Sequence, residues 1–274
     1  MDMVLLFKSI IMGIVEGLTE FLPISSTGHL ILSGELLHFL DKEKRDVFEI
    51  FIQFGAMLAV VWEYRSKISG TLLGAVAPGR ERSLLINIIA AFIPAAFVGL
   101  FFNNMIKAAL FKPVPVALAF IIGGFVILWA EKRQHRITVE TVDDLTLLDA
   151  IKVGFCQCFA LIPGTSRSGA TIIGGLFLGL SRKAATEFSF FLAIPTLSAA
   201  SIYSLWKVRH ILEMQDIGIF AVGFLAAMVS AFFAVRALLK FISSHTFIAF
   251  AWYRIAFGLV ILLTAWQGWI NWAA

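Results

Sequence analysis

The chain has 274 residues and a formal net charge of +4, with 59% hydrophobic and only 15% charged residues, and its mean hydropathy is +0.90. Soluble globular domains carry about 45–50% apolar and about 25% charged residues. The composition therefore excludes an ordinary soluble enzyme, a disordered chain and a coiled coil, and it predicts a polytopic membrane protein. The small charge, scattered over short loops, argues against nucleic-acid binding.

An apolar region at about 3–40 opens the chain, and the polar stretch Pro23-Ile-Ser-Ser-Thr-Gly-His29 interrupts it. Proline and glycine end one helix there, and serine or threonine can cap the next. Irregular backbone survives at membrane depth only where protein buries it or a wet cavity borders it. We expect helix, break and helix, as a re-entrant hairpin or a broken span. Because a basic start and a cleavage site are missing, we expect this region to be mature structure rather than a signal peptide.

Three membrane spans are predicted next, since each segment supplies about 20 mostly apolar residues: 48–64, 84–104 and 114–130. A second interrupted region follows at about 147–180, with Pro163-Gly-Thr-Ser-Arg-Ser-Gly-Ala-Thr171 at its centre. The predicted spans 186–206, 217–239 and 250–270 complete the chain. Cys156 and Cys158 have the spacing of neither a metal site nor a redox motif, so we expect small helix-packing residues.

The two interrupted regions are related by position. Pro23 and Pro163 are 140 residues apart, as are Ser26 and Ser166, and half the chain is 137 residues. We therefore expect one integral membrane domain, 1–274, built by internal duplication of halves at about 1–137 and 138–274. If each interrupted region enters the membrane and returns, each half crosses three times and the second copy is inverted.

The distribution of Lys and Arg predicts the orientation, because cytoplasmic loops carry the excess. One side collects Arg65, Lys67, Arg80, Arg82, Lys132, Arg133, Arg136, Arg182, Lys183, Arg236 and Lys240. The other side collects Lys8, Lys42, Lys44, Arg45, Lys107, Lys112, Lys207 and Arg209. The first, larger group is expected in the cytoplasm, with both termini outside.

Ionisable side chains inside membrane segments are costly and therefore mark candidate functional sites. Glu16 and Glu20 lie four residues apart, so both carboxylates project from one helix face. The breaks add these polar side chains: Ser26 and His29 from the first, and Ser166, Arg167, Ser168 and Thr171 from the second.

A helix start with an arginine and hydroxyl groups is a typical binding site for phosphate. The neighbouring glutamates would repel phosphate unless a divalent cation, Mg²⁺ or Ca²⁺, bridged the two. The pattern thus predicts a metal-bridged phosphate or diphosphate, with Glu16 and Glu20 as metal ligands. A purely structural ion pair between Arg167 and one of these glutamates is the alternative.

Glu16-x-x-x-Glu20, FLPISSTGH at 21–29 and PGTSRSGAT at 163–171 resemble the bacterial undecaprenyl-diphosphatase family associated with bacitracin resistance. The resemblance covers essentially the whole chain. It implies an all-α protein of the bacterial inner membrane, with six transmembrane helices and two re-entrant helical hairpins in an inverted-topology repeat. It also implies a metal-dependent phosphatase that converts undecaprenyl diphosphate to the monophosphate carrier for peptidoglycan synthesis, with its active site facing the periplasm.

Residue chemistry then suggests roles within that activity. Ser26 is the candidate nucleophile and His29 its proton acceptor or the acid for the leaving oxygen; alternatively His29 is the nucleophile and Ser26 a phosphate ligand. Arg167 would clamp phosphate oxygens, and Glu20 is either a metal ligand or the base. Ser166, Ser168 and Thr171 are candidate phosphate ligands.

A secondary transporter or flippase for a polyprenyl phosphate or another anion is the alternative function. Inverted repeats, broken helices and a polar site at the midplane are also typical of secondary transporters. The expected partners are the lipid substrate and the bilayer, and glycines scattered through the spans would permit a homodimer.

Overall fold

The computed structural model describes residues 2–110, 112–133, 136–208, 213–270 and 272. Within these ranges the regular structure is helical apart from one isolated bridge between Val139 and Leu180. The α-helices, in chain order, are α1 (Met3–Thr19), α2 (Ser26–Leu37), α3 (Lys42–Glu63), α4 (Arg65–Gly74), α5 (Arg80–Leu110), α6 (Pro113–Lys132), α7 (Leu147–Cys158), α8 (Arg167–Phe177), α9 (Arg182–Val208), α10 (Ile217–Ile242) and α11 (Ile248–Trp266). Short 3₁₀ turns cover Val142–Asp144, Phe159–Leu161 and Met214–Asp216.

Every predicted span is a helix: α3, α5, α6, α9, α10 and α11. Five of these are long and apolar enough to cross a membrane unaided. The sixth, α3, qualifies only together with α4, from which a bend of 78° separates it. It also starts earlier than predicted, because the Asp41 side chain caps its charged first turn by accepting the Lys44 N–H at 2.9 Å. The segment after Arg65, expected to be a charged joint only, contains α4.

Both interrupted regions fold as helical hairpins. The Lys8 ammonium group, near the start of α1, donates to the carbonyl of His38 just after α2 at 3.4 Å, so α2 returns along α1. In the second hairpin a Cβ added at Gly174 of α8 would lie 2.6 Å from the Cβ of Cys156 in α7. Cys156 thus packs between helices, as expected of it. The helix–break–helix prediction is confirmed, and re-entry into a bilayer stays a prediction.

The first helix of each hairpin packs on a span from the other half of the chain. Helix α1 lies against α10, and α7 lies against α5, while α6 pairs with α11. Gly13 and Gly154 permit the first two contacts, because an added Cβ would meet the Gly223 carbonyl oxygen at 2.3 Å and that of Ala91 at 2.4 Å, respectively. The predicted duplication requires such reciprocal packing, and it stays a prediction.

Charged side chains pair at the two ends of the helix bundle. Lys44 and Asp216, at the starts of α3 and α10, are 3.1 Å apart, whereas Glu63 and Arg236, near the ends of the same helices, are 2.7 Å apart. Helices α3 and α10 therefore run parallel. The starts of both helices lie on one predicted side of the membrane, and their ends lie on the other. Arg209, counted above for the orientation, lies outside the described residues.

The outer surface of the bundle is apolar. Large side chains on the spans are more than half exposed, including Phe97, Phe101, Ile122, Phe233 and Leu259. A soluble protein would rarely leave so much contiguous apolar surface in water. Together with the long apolar helices, this surface makes the chain a multi-pass membrane protein.

Candidate active site

The two breaks have the same backbone conformation where the second helix of each hairpin begins. Ser25 precedes α2 with φ +68°, and Ser166 precedes α8 with φ +75°, a left-handed conformation that non-glycine residues rarely adopt. Ser25 and Ser166 are therefore equivalent, and the equivalent of Ser26 is Arg167. The pairing of Ser26 with Ser166, expected from a spacing of 140, is wrong by one residue.

The reason is an additional residue in the second break. Ser26 is three positions after Pro23, but Arg167 is four positions after Pro163, and Gly164 accommodates the additional residue at φ +91°. Ser25 and Ser166 are 141 positions apart, and the same spacing relates two pairs that precede the prolines, Gly13 with Gly154 and Glu16 with Gln157.

Glu20 joins the two hairpins. Its Oε2 accepts a hydrogen bond from the Ser26 hydroxyl at 2.8 Å and a longer one from the Gln53 amide at 3.4 Å. Its Oε1 accepts the Arg167 Nε–H at 3.2 Å. Glu20 and Ser26 are each 6% exposed, so both bonds lie in a water-poor interior. The structure thus brings Ser26 and Arg167 to one carboxylate, although they are far apart in sequence.

The Arg167 guanidinium is held on two sides and open on a third. Nη1 donates to the carbonyl of Ser189 at 3.0 Å and to its hydroxyl at 3.3 Å. The guanidinium also lies over the ring of Phe21, 5.6 Å from its centre. Nη2 makes no hydrogen bond within the described part of the chain, although it is buried. A buried donor without a partner is costly, and an anionic ligand would satisfy it.

The remaining hydroxyls of the second break make hydrogen bonds to the neighbouring protein groups of the site. Ser168 donates to the Leu22 carbonyl at 2.7 Å, and Ser166 lies 3.0 Å from the Ser168 hydroxyl while capping α8. Thr171 donates to the Ser189 hydroxyl at 2.7 Å. These hydroxyls hold the break and Ser189 in place, and their role as phosphate ligands stays a prediction.

His29 is turned toward α11. Its Nδ1 lies 2.7 Å from the carbonyl oxygen of Ser25, which can only accept, so Nδ1 carries a proton. Its Nε2 lies 2.7 Å from the Tyr253 hydroxyl. The ring stacks on Phe257 at 4.2 Å between centres and on Tyr253 at 5.6 Å. Both ring nitrogens are therefore engaged, and neither of these bonds goes to Ser26.

Glu16 is fully buried, and neither of its carboxylate oxygens has a hydrogen-bond partner among the described residues. An uncompensated buried carboxylate is strongly destabilising, so Glu16 either takes up a proton or pairs with a cation. The residues fit a divalent metal ion, because Glu16 lies one helical turn from Glu20 and offers two free oxygens. In the described ranges no three His, Cys, Asp or Glu side chains cluster for a metal, so substrate or water oxygens would complete its shell.

Four contributors were missed from the sequence: Gln53, Ser189, Tyr253 and Arg254. Arg254 carried a usable signal, since it is an ionisable residue inside the predicted span 250–270. The others resemble ordinary polar residues of a span until packing places them beside the breaks.

Buried acids, a serine and an arginine at the junction of two helical hairpins define a polytopic membrane protein with a composite polar site. The family model described as Bacitracin resistance protein BacA matches residues 9–260, and the chain belongs to that family.

Curated relatives match over their full length. An "Undecaprenyl-diphosphatase 1" of Chromobacterium violaceum is 73% identical over 270 residues, which are 98% of this chain and 100% of the relative. An "Undecaprenyl-diphosphatase 2" of Rhodospirillum rubrum is 61% identical, and an "Undecaprenyl-diphosphatase" of Cellvibrio japonicus is 59% identical, each over 100% of both chains.

Proposed function

We infer that the chain is an undecaprenyl-diphosphatase, which hydrolyses undecaprenyl diphosphate to undecaprenyl phosphate and inorganic phosphate. Full-length identity of 59–73% to relatives bearing that name supports the assignment. The observation that carries the assignment is the contact of both Ser26 and Arg167 with the carboxylate of Glu20. This contact brings together a nucleophile, a base and an anion-binding group. The reaction returns the carrier lipid to cell-wall synthesis and confers resistance to bacitracin.

The geometry favours Ser26 over His29 as the nucleophile. The Ser26 hydroxyl already donates to Glu20, which is placed to take its proton. In our proposal Ser26 Oγ attacks the terminal phosphorus, its proton moves to Glu20, and the bond to the bridging oxygen breaks to release undecaprenyl phosphate. Glu20 passes that proton to the departing phosphate oxygen and is ionised again. Water then attacks the phosphoserine, its proton moves to Glu20, and Glu20 returns it to Ser26 Oγ as inorganic phosphate leaves. His29 instead fixes the first turn of α2 through Ser25 and Tyr253.

Arg167 is proposed to bind the phosphoryl group through the unpartnered Nη2. Its bonds to Glu20 and Ser189 orient the guanidinium before substrate arrives, which is the arrangement that stabilises developing charge best. The unpartnered nitrogen supports this proposal over a purely structural ion pair, which would leave a buried donor unsatisfied.

Purified protein in detergent is expected to release inorganic phosphate from undecaprenyl diphosphate, because hydrolysis needs no second compartment. Phosphate release is the measurement, and the Ser26→Ala variant is the blank. If no phosphate appears while reconstituted protein moves polyprenyl phosphate between vesicle leaflets, the chain is the transporter or flippase instead.

A divalent cation, Mg²⁺ or Ca²⁺, is proposed to bind to Glu16, whose two oxygens have no partner among the described residues. Of the two roles predicted for Glu20, metal ligand or base, the proposal keeps the base, because both Glu20 oxygens already accept hydrogen bonds. When bound, the cation would neutralise diphosphate charge that the two carboxylates otherwise repel. Excess EDTA is therefore expected to abolish phosphate release, and added metal to restore it. Glu16→Ala should raise the metal concentration for half-maximal activity at least about tenfold, since losing even an outer-shell partner costs that much.

Glu213→Ala, in a connecting segment beside Lys44, is the control for that metal titration. Full activity of the wild-type protein in excess EDTA would refute the metal assignment and leave Glu16 without a cation.

The site is proposed to face the periplasm of a bacterium, with α4 and the start of α9 in the cytoplasm. In a variant with Cys156 and Cys158 replaced by alanine, Ser66→Cys should react with a membrane-impermeant thiol reagent only after cell lysis. Lys42→Cys, at the other end of α3, should react in cells whose outer membrane is permeabilised. The reverse pattern would invert the orientation. A homodimer also stays a prediction.

A further inference from the structure

Arg254 lies in the first half of α11 and is only 1% exposed. Its guanidinium donates to backbone carbonyls alone. Nη1 bonds to Pro23 at 3.1 Å and Thr165 at 2.9 Å, Nη2 to Gly164 at 2.9 Å and Ala119 at 3.0 Å, and Nε to Phe120 at 3.3 Å.

The charge of Arg254 is not paired with an acidic side chain in the described part of the chain. Among the ion pairs of the described residues none includes Arg254. A guanidinium keeps its proton in proteins, so carbonyl dipoles must compensate a full buried charge. An apolar side chain would fill this space in a membrane span at lower cost, which points to a role that depends on the hydrogen bonds themselves.

These carbonyls belong to the two breaks of the site. Pro23 lies three residues before Ser26, and Thr165 lies two residues before Arg167. One nitrogen, Nη1, donates to both carbonyls, so it fixes the distance between the two breaks. Because these carbonyls lie two or three residues before α2 and α8 begin, holding them also positions the starts of both helices.

We propose that Arg254 is a positioning residue that aligns the Ser26 hydroxyl with the Arg167 guanidinium by joining the backbones of the two breaks. It touches neither substrate nor reacting atoms. The proposal rests on the proposed phosphatase activity, and wild-type phosphate release tests that activity separately.

Two substitutions disturb the hydrogen bonds of Arg254 to the two breaks while keeping a positive charge. Arg254→Lys replaces three donor nitrogens by one, which cannot reach the carbonyls of both breaks and of α6 together. Gly123→Ala keeps the arginine but places a Cβ 2.2 Å from its Nη2, so the guanidinium must leave Gly164 and Ala119. The matched controls are Arg236→Lys, whose side chain is 55% exposed, and Gly70→Ala, which has open space around it.

The measurements are kcat and KM for phosphate release and the melting temperature in detergent. Arg254→Lys is expected to lower kcat by about 10²-fold with KM nearly unchanged, because a misplacement of about 1 Å costs that much. Gly123→Ala should shift kcat in the same direction, and both controls should match wild type. Gly123→Ala also decides the outcome if Arg254→Lys does not fold.

A double variant separates positioning from mere stabilisation. In an Arg167→Ala background the effect of Arg254→Lys on kcat should nearly vanish, since there is no guanidinium left to align. A purely structural Arg254 would lower the melting temperature and leave kcat per folded molecule unchanged in both backgrounds. That result, or wild-type kcat in both Arg254→Lys and Gly123→Ala, would overturn the proposal.

Discussion

Ser26→Ala is expected to lower kcat by about 10⁴-fold or more, the size of effect that removal of an enzymatic nucleophile produces. The Ser26 hydroxyl is the donor that Glu20 Oε2 holds at 2.8 Å, so alanine removes both the nucleophile and the proton it transfers. KM should change little, because Arg167 and the metal site remain. The measurement is phosphate release at saturating substrate.

Two further variants make this result specific. Ser33→Ala, two turns along α2, should behave as wild type. His29→Gln should lower kcat by no more than about a hundredfold, the low end of what proton-transfer groups contribute, because His29 is bonded to Ser25 and Tyr253. If His29→Gln is inactive while Ser26→Ala turns over within tenfold of wild type, His29 is the nucleophile.

Arg167→Lys is expected to lower kcat by about 10²–10³-fold, the usual loss when one preorganised donor to a developing anion is removed. A lysine has one nitrogen, which cannot keep the bonds to Glu20 and Ser189 and still offer a donor to phosphate. The melting temperature should change little, since a lysine still pairs with Glu20. Initial rates alongside a thermal melt check both statements.

The control for Arg167→Lys is Arg182→Lys. This substitution also removes a bidentate contact of an arginine with a buried carboxylate, that of Glu131, but away from the site. A structural Arg167 gives the opposite pattern: rapid turnover in the lysine variant and a lowered melting temperature. Folding of Arg167→Ala would then be rescued by Glu20→Gln, because an unpaired buried charge costs more than none.

The hairpins and the acidic, serine and arginine residues of the site were predictable because proline, glycine and charge are conspicuous in an apolar chain. Glu16, Glu20 and Arg167 violate the rule that membrane segments exclude charge, so position alone marks them. The helix starts were predictable to within one residue only. Backbone conformation, which sequence spacing does not report, makes Ser25 rather than Ser26 the equivalent of Ser166.

Partners brought by packing were beyond prediction. Ser189 acquires its role only because α8 lies on α9. Arg254 was visible as a charge, but its acceptors are main-chain carbonyls in two segments remote in sequence, and every residue has a carbonyl. The bend between α3 and α4 was hidden for a similar reason, since the charged segment after Arg65 fits a joint and a surface helix equally well.

The two breaks end in the same backbone conformation but carry different chemical groups. The first helical residue is Ser26 after one break and Arg167 after the other, and the spacing of 141 residues pairs Glu16 of the first hairpin with Gln157 of the second. Two copies of the first hairpin would place carboxylates next to each other, without a guanidinium group to bind phosphate. Two copies of the second hairpin would place two guanidinium groups together, without a nucleophile. In the proposed site the two hairpins therefore supply different groups, and two copies of either hairpin could not form it.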